Sequence, residues 1–257
     1  MQSAGLELRK WSSNNINLIK DIPNNQEGNK TKPISDDNSI TKILGLFWNS
    51  DMDTFQFEVK ENNFTFINHI TKREILSEIA CLFDPLGLVG PAIIRAKLML
   101  QELWRLQIQW DDPLPNDIKE RWIAYRTSLC LLNDLLIPRQ ITCEGDIVNI
   151  QIHGFSDASI YAYGCCLYLR CTNSSGAHTS KLMCAKSKVA PLKAISLPRL
   201  ELCAALLLAR LSNKIIPKLH VKVNNSYFWS DSKIVLAWIT SSSTKIEGLR
   251  ATTRQLG

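Results

Sequence analysis

Hydrophobic and polar residues alternate with two different periods along this chain, and the early part has the period of strands. β-rich runs predict strands at Lys42 to Trp48 and at Thr54 to Val59. The segment between them, Asn49 to Asp53, supplies turn-forming side chains. We therefore predict a β-hairpin, preceded by a polar connection from Asp21 to Ser39.

Helical spacing dominates the middle of the chain and predicts three helices. Residues 71–74, Thr-Lys-Arg-Glu, fit a capping box, and the helix that they start should reach Phe83, because Asp84-Pro85 then ends it. A second helix, with Pro91 in its first turn, continues to Ile108. The apolar stripe of the third helix predicts a span from Asp117 to Leu136.

A strand-rich region follows Pro138 and ends in two further helices. Alternation predicts three consecutive strands at Ile147 to Phe155, Ala162 to Arg170 and Lys181 to Val189. A helix from Pro198 to Lys214, a strand from Tyr227 to Trp229 and a helix from Lys233 to Thr240 follow. The predicted order β-β-β-α-β-α indicates an α/β (α+β) domain.

Composition adds little about partners but excludes some classes of protein. The net charge of +6 suits a polyanionic partner without proving one. Neither the first ten residues nor the most apolar stretch, Leu86 to Leu100, is typical of a secretory signal or a membrane span. The eight cysteines are therefore expected to be reduced thiols, and none forms the C-x-x-C pair of a zinc site.

Two aspartates directly follow predicted strands of the last domain. Asp157 comes after its first strand and Asp231 after its fourth. Each has an ordinary alternative role, which is a turn residue for Asp157 and a helix N-cap for Asp231. Ser232 could cap the last helix instead and leave Asp231 free.

Glu201 is the least ordinary residue of the sequence. Helical geometry puts it on the same face of its predicted helix as Ala204 and Leu208, whereas Arg199 lies on the opposite side. Because burial of an unpaired carboxylate is costly, Glu201 needs either a salt bridge or a bound cation.

The three acids Asp157, Glu201 and Asp231 come in the order strand end, helix face, strand end. Adjacent strands with a helix packed across them would bring the three carboxylates together. An all-oxygen site of this kind suits Mg²⁺ or Mn²⁺, bound as one ion or as two. The chemistry indicated is metal-assisted phosphodiester hydrolysis.

Four motifs in the last domain carry a resemblance to a known family. They are HGFSDAS at 153–159, KSKVAPLK at 186–193, LPRLEL at 197–202 and WSDS at 229–232. Together they resemble the Pol polyprotein of BEL/Pao-type LTR retrotransposons. Further upstream, three segments resemble the end of that family's reverse transcriptase and its connection: 5–12, 43–49 and 82–88.

This resemblance implies an RNase H-like fold for residues 145–257, with Asp157, Glu201 and Asp231 as catalytic and metal-binding acids. It implies a helical thumb-like or connection-like region at 70–140. Residues 1–69 would be a remnant of the reverse transcriptase palm with a polar linker and a hairpin. The implied activity is cleavage of RNA in an RNA–DNA hybrid, with nucleic acid and other parts of a Pol polyprotein as partners. The implied location is intracellular, either cytoplasmic within a virus-like particle or nuclear.

The sequence also departs from the family pattern at both ends. It begins after the metal-binding aspartates of the reverse transcriptase, so polymerase activity is not expected. The family continues beyond the helix after Asp231 to a fourth acidic residue, whereas residues 244–257 differ, so we expect a C-terminally incomplete fold with an exposed sheet edge.

Three functions are therefore alternatives. The first is RNase H-like hydrolysis, and the second is a non-catalytic remnant that binds nucleic acid or a protein partner. The third, an aspartic peptidase, is disfavoured because neither Asp157 nor Asp231 lies in a D-[ST]-G sequence.

Overall fold

The computed structural model describes residues 13–18, 40–43, 46–59 and 70–241. Contacts divide the chain into two compact units, the first made of Met1–Ile70, Ala80–Pro85 and Pro113–Gln140, and the second of Thr71–Ile79, Leu86–Asp112 and Ile141–Gly257. The three-domain division 1–69, 70–140 and 145–257 stays a prediction. Within the described ranges, no helix is both long and apolar enough to cross a membrane.

A small antiparallel sheet lies in the first unit. Its strands follow the order of the chain: β1 (Ile40–Ile43), β2 (Leu46–Asn49), β3 (Thr54–Gln56) and β4 (Ile137–Pro138). The β2–β3 pairing confirms the predicted hairpin, and Asn49 Oδ1 accepts hydrogen bonds from the backbone N–H groups of Asp51 and Met52. The single strand predicted at Lys42 to Trp48 is wrong, because this run holds the end of β1 and most of β2, which pair with each other.

The helix of the first unit, α3 (Asn116–Leu129), is shorter than the sequence predicts. After Leu129 the chain tightens into a 3₁₀ helix, Cys130–Asp134, and Leu135 is extended. The Asn133 side chain accepts a hydrogen bond from the backbone N–H of Val59 and donates one to its carbonyl oxygen. These bonds tie the segment after α3 to Val59, and apolar periodicity alone could not reveal them.

Two further helices precede the main sheet along the chain; the later of them lies within the second unit, and the earlier has its last two residues in the first unit. In α1 (Lys72–Cys81) the predicted capping box is confirmed, since Thr71 N–H donates to Glu74 at 2.8 Å and Glu74 N–H donates to Thr71 Oγ1 at 3.3 Å. The predicted second helix is also confirmed as α2 (Gly90–Arg105), with a proline in its first turn.

The main sheet of the second unit carries the predicted β-β-β-α-β-α order. Its elements are β5 (Ile147–Ala158), β6 (Ala162–Asn173), β7 (His178–Val189), α4 (Leu197–Ile215), β8 (Asn225–Trp229) and α5 (Lys233–Thr240). The strand order is β7-β6-β5-β8; β5, β6 and β7 form an antiparallel meander, and β8 pairs parallel to β5. Alternate residues of β5 and β6, such as Ile152 and Leu167, pack with Leu208 of α4 to form the core. In the described part of the chain β8 is an edge strand, with all five residues exposed.

The segment before α2 covers part of the β7 edge. Ala185 N–H donates to the carbonyl oxygen of Leu86 at 2.8 Å. Gly87 has a φ of +75°, and a Cβ there would lie 2.0 Å from the Ala185 carbonyl oxygen, so only glycine fits. Buried Gln101 of α2 donates to the Ala190 carbonyl just after β7. These bonds join the helical segment to the sheet and protect its edge.

Two cysteines of the second unit form a disulfide. Cys143, before β5, is joined to Cys171 of β6, and their Cα atoms are 5.7 Å apart. The expectation of reduced thiols is therefore wrong for this pair, while the other six cysteines are free. The pairing depends on where the chain before β5 meets β6, which cysteine spacing does not reveal.

Candidate metal centre

Three acidic side chains from three elements meet at one end of the main sheet. Asp157 lies near the end of β5, Glu201 lies early in α4, and Asp231 follows β8. One carboxylate oxygen from each lies within 4.8 Å of the others. Because β5 and β8 are neighbouring parallel strands, their carboxyl ends meet at the same edge. All three acids singled out in the sequence are thus brought together; their catalytic and metal-binding roles stay predictions.

Asp157 is exposed, and the backbone beside it fixes its side chain. Its Oδ1 accepts a hydrogen bond of 2.7 Å from the N–H of Ala158. The preceding residue, buried Ser156, donates from Oγ to the carbonyl oxygen of Trp229 at 3.4 Å. This bond joins the ends of β5 and β8 directly below the two aspartates.

Gly154 allows α4 to approach the sheet closely. A Cβ at this position would lie 2.8 Å from Leu208 of α4 and 2.7 Å from Phe228 of β8. Sequence analysis missed Gly154 and Ser156 as positioning residues. Their place on the buried face of β5, two and four positions after Ile152, is the signal that could have found them.

Glu201 is the buried member of the cluster, with 8% of its surface exposed. Its Oε2 is buried and has no hydrogen-bond partner among the described residues. Burial raises the pKa of Glu201, the charges of Asp157 and Asp231 raise it further, and a hydrogen bond from the Ala158 N–H lowers it in part. An oxygen in this state is costly to the fold unless a cation or a proton satisfies it.

Asp231 is exposed and is not needed to cap the helix that follows. Ser232 Oγ accepts a hydrogen bond of 3.4 Å from the N–H of Val235, which makes Ser232 the N-cap of α5. The alternative that Ser232 leaves the Asp231 carboxylate free is confirmed.

The donor set fits a hard divalent cation. All three groups are carboxylates, and Mg²⁺ prefers oxygen ligands and keeps several waters. Over the residues that the structure describes, none of the three forms an ion pair with Lys, Arg or His. The salt bridge considered for Glu201 is therefore not observed in that part of the chain, whereas the partnerless Oε2 is suited to a bound cation.

Comparison with known proteins gives one family match. A family model described as Pao retrotransposon-like RNaseH-like domain matches residues 71–232. Among solved structures, the foamy viral protease-reverse transcriptase dRH in complex with ds DNA aligns at 12% identity and a TM-score of 0.45, over 80% of this chain and 33% of that chain. This chain therefore spans about a third of the length of the viral chain. A comparison with curated proteins gives no match. Since the family model covers more than half of the sequence, with all three acids, the chain belongs to the Pao retrotransposon-like RNaseH-like domain family.

Proposed function

We propose that this chain binds divalent cations at Asp157, Glu201 and Asp231 and hydrolyses the RNA strand of an RNA–DNA hybrid. The observation that carries the proposal is the convergence of the three carboxylates within 4.8 Å. The buried Oε2 of Glu201, which has no partner among the described residues, supports it independently, because a structural carboxylate is expected to have a hydrogen-bond or ion-pair partner.

The three acids would divide the work of holding Mg²⁺ or Mn²⁺. Glu201 is fixed by burial beneath the cluster, whereas Asp157 and Asp231 are exposed, where a phosphodiester can reach them. The N–H of Ala158 orients both Asp157 and Glu201. When bound, one or two ions would supply the charge that activates water and stabilises the leaving oxygen.

The proposed substrate follows from the chemistry of the cluster and from the family. A hybrid is recognised through its backbone, its groove shape and its 2′-hydroxyls, which matches a site at the exposed end of a sheet. The net charge of +6 favours a polyanionic substrate. Other parts of a Pol polyprotein as partners and an intracellular location, in virus-like particles or the nucleus, belong to the same proposal.

An aspartic peptidase remains unsupported. Its two aspartates share one proton on symmetric loops. Here a third carboxylate lies with the two aspartates, which are at the ends of neighbouring parallel strands rather than on symmetric loops.

Cleavage of an end-labelled RNA in an RNA–DNA hybrid tests the proposal. We expect the full chain to cut the RNA in Mg²⁺ or Mn²⁺ and not in a chelator, and we expect Asp157→Asn and Glu201→Gln to lose the activity. The matched control is Asp146→Asn, which removes an exposed carboxylate just before the opposite end of β5 and should retain full activity.

Three outcomes would contradict the proposal. Absence of cleavage by folded protein would favour the non-catalytic remnant. Cleavage that survives Asp157→Asn would place the chemistry elsewhere, and pepstatin-sensitive proteolysis would revive the peptidase.

A further inference from the structure

Two lysines of β7 lie on the same face of the main sheet as α4. Lys188 is directly opposite Tyr163 of β6, which is in turn opposite Ala158 of β5. Tyr163 packs against the core between the sheet and α4, which identifies the face. Lys186, two residues earlier on β7, has the same orientation, because side chains alternate along a strand.

The register places these lysines close to the acidic cluster. Neighbouring strands are about 4.7–4.9 Å apart, so Lys188 lies roughly 10 Å across the sheet from Ala158. The N–H of Ala158 is the group that binds the Asp157 carboxylate. Lys186 and Lys188 are separated by about 6.6–6.8 Å along the strand. Two positive charges therefore flank the cluster at the same end of the sheet.

Neither lysine has a structural role that the described residues reveal. Both are exposed, and neither forms an ion pair in that part of the chain. Lysines often protect an exposed strand edge from pairing with other chains. At this edge, however, Leu86 already bonds to Ala185 and Gln101 bonds to Ala190, on either side of the two lysines.

Lysines whose backbone lies about 10 Å across the sheet from the residue beside the acidic cluster, and which form no ion pair among the described residues, suit a ligand that is anionic along its length. We propose that Lys188, with Lys186 beside it, binds backbone phosphates of the RNA–DNA hybrid whose RNA strand lies at the acidic cluster. This inference rests on the proposed function and assigns part of its substrate-binding surface. Contacts of this kind carry no sequence information, so the effect should be the same for any hybrid sequence.

The salt dependence of hybrid binding tests this assignment. Binding of a fluorescently labelled hybrid is measured in Mg²⁺ with the full chain carrying Asp157→Asn, so that the RNA stays intact. Each phosphate contact contributes about 0.9 to the slope of log affinity against log salt. The double variant with Lys186→Ala and Lys188→Ala should have a slope that is shallower by roughly 1.8. The factor by which affinity falls between about 50 and 200 mM salt should then be about twelve times smaller than in the parent.

The matched control removes the same charge at the other end of α4. Lys214→Ala with Lys218→Ala changes two exposed lysines in the last turn of α4 and the following 3₁₀ helix. Lys214 is about 20 Å along the helix from Glu201, so the slope should stay unchanged. Thermal unfolding of each variant confirms that the exposed substitutions leave the fold intact.

The outcomes separate this inference from the proposed function. Cleavage by the unaltered protein together with an unchanged slope in the β7 variant would overturn the role of the lysines alone. A reduced slope without cleavage would support the lysine contacts and reject hydrolysis. Failure of the folded protein to bind the hybrid would reject both.

Discussion

Replacing Glu201 with Gln should stabilise the protein when no divalent ion is present. The substitution nearly preserves shape and removes a charge from a side chain that is 8% exposed. It breaks no hydrogen bond at Oε2, which has no partner among the described residues. The carboxylate is therefore expected to cost stability in the metal-free protein, as groups arranged for function often do.

The magnitude follows from the distances in the cluster. Two unit charges 4.8 Å apart repel by about 0.9 kcal/mol at the dielectric constant of water and about 3.5 kcal/mol at an effective value of 20. Because Asp157 and Asp231 are exposed, the lower figure applies better to each pair with Glu201. Relief of two such repulsions gives about 1–2 kcal/mol.

The pH dependence has a defined sign. Burial, and then the charges of the two aspartates, raise the pKa of Glu201 above its ordinary value, so the folded state binds this proton more tightly than the unfolded state. The stability that the protonated group provides is complete below the unfolded pKa and is lost as pH rises through the folded pKa. Glu201→Gln should therefore differ least from the parent at acid pH and most at neutral pH.

Urea unfolding in a chelator, at pH 4 and pH 7, measures these differences. Glu144→Gln, an exposed change in the same unit, should alter the free energy of unfolding by less than about 0.5 kcal/mol. Saturating Mg²⁺ should reverse the order, since an ion at one hundred times its Kd adds about 2.7 kcal/mol to the parent protein. A Glu201→Gln variant less stable than the parent in chelator at pH 7 would refute the reasoning.

Three further predictions concern the second unit. Gly87→Ala should lower the free energy of unfolding in a urea titration by more than about 1 kcal/mol, because its Cβ would meet a β7 carbonyl. Gly176 has a similar φ but open space around it, so Gly176→Ala should lower the free energy of unfolding by less. Lys72→Met should lower the free energy of unfolding by about 1–2 kcal/mol. The buried ammonium of Lys72 donates to the Ile108 carbonyl oxygen at 3.0 Å and lies 3.4 Å from the centroid of the Trp104 ring. Unchanged stability would contradict this. Burial raises the pKa of Cys165 to about 12, so its thiol should resist alkylation. Iodoacetamide at pH 8 should label exposed Cys81 and leave Cys165 unmodified in the native protein, which mass spectrometry measures.

The sequence predicts an element well where periodicity and packing agree. The limits of α5, Lys233–Thr240, are those expected, because a serine cap and an apolar face mark them locally. The errors occur where the backbone changes its hydrogen bonding inside an apolar run. A 3₁₀ helix follows α3 after Leu129, and Ile43 pairs with Leu46 inside the run that starts at Lys42. Apolar spacing records burial and does not mark either change.

The acidic cluster was predictable because each member has a local signal. Asp157 lies at the end of β5, Asp231 follows β8, and Glu201 lies on an apolar helix face. The parallel pairing of β5 and β8 therefore suffices to unite them. The close approach of Gly87 to β7 and the pairing of Cys143 with Cys171 have no such signal. Both depend on which backbone atoms face each other across the folded sheet.

The most direct test of a shared cation site is a crystal structure of the full chain in saturating Mn²⁺, with anomalous scattering used to locate the ions. We expect at least one anomalous peak within metal–oxygen bonding distance of carboxylate oxygens of Asp157, Glu201 and Asp231. Well-ordered carboxylates with no peak between them, or a peak bound only by other residues, would contradict the assignment.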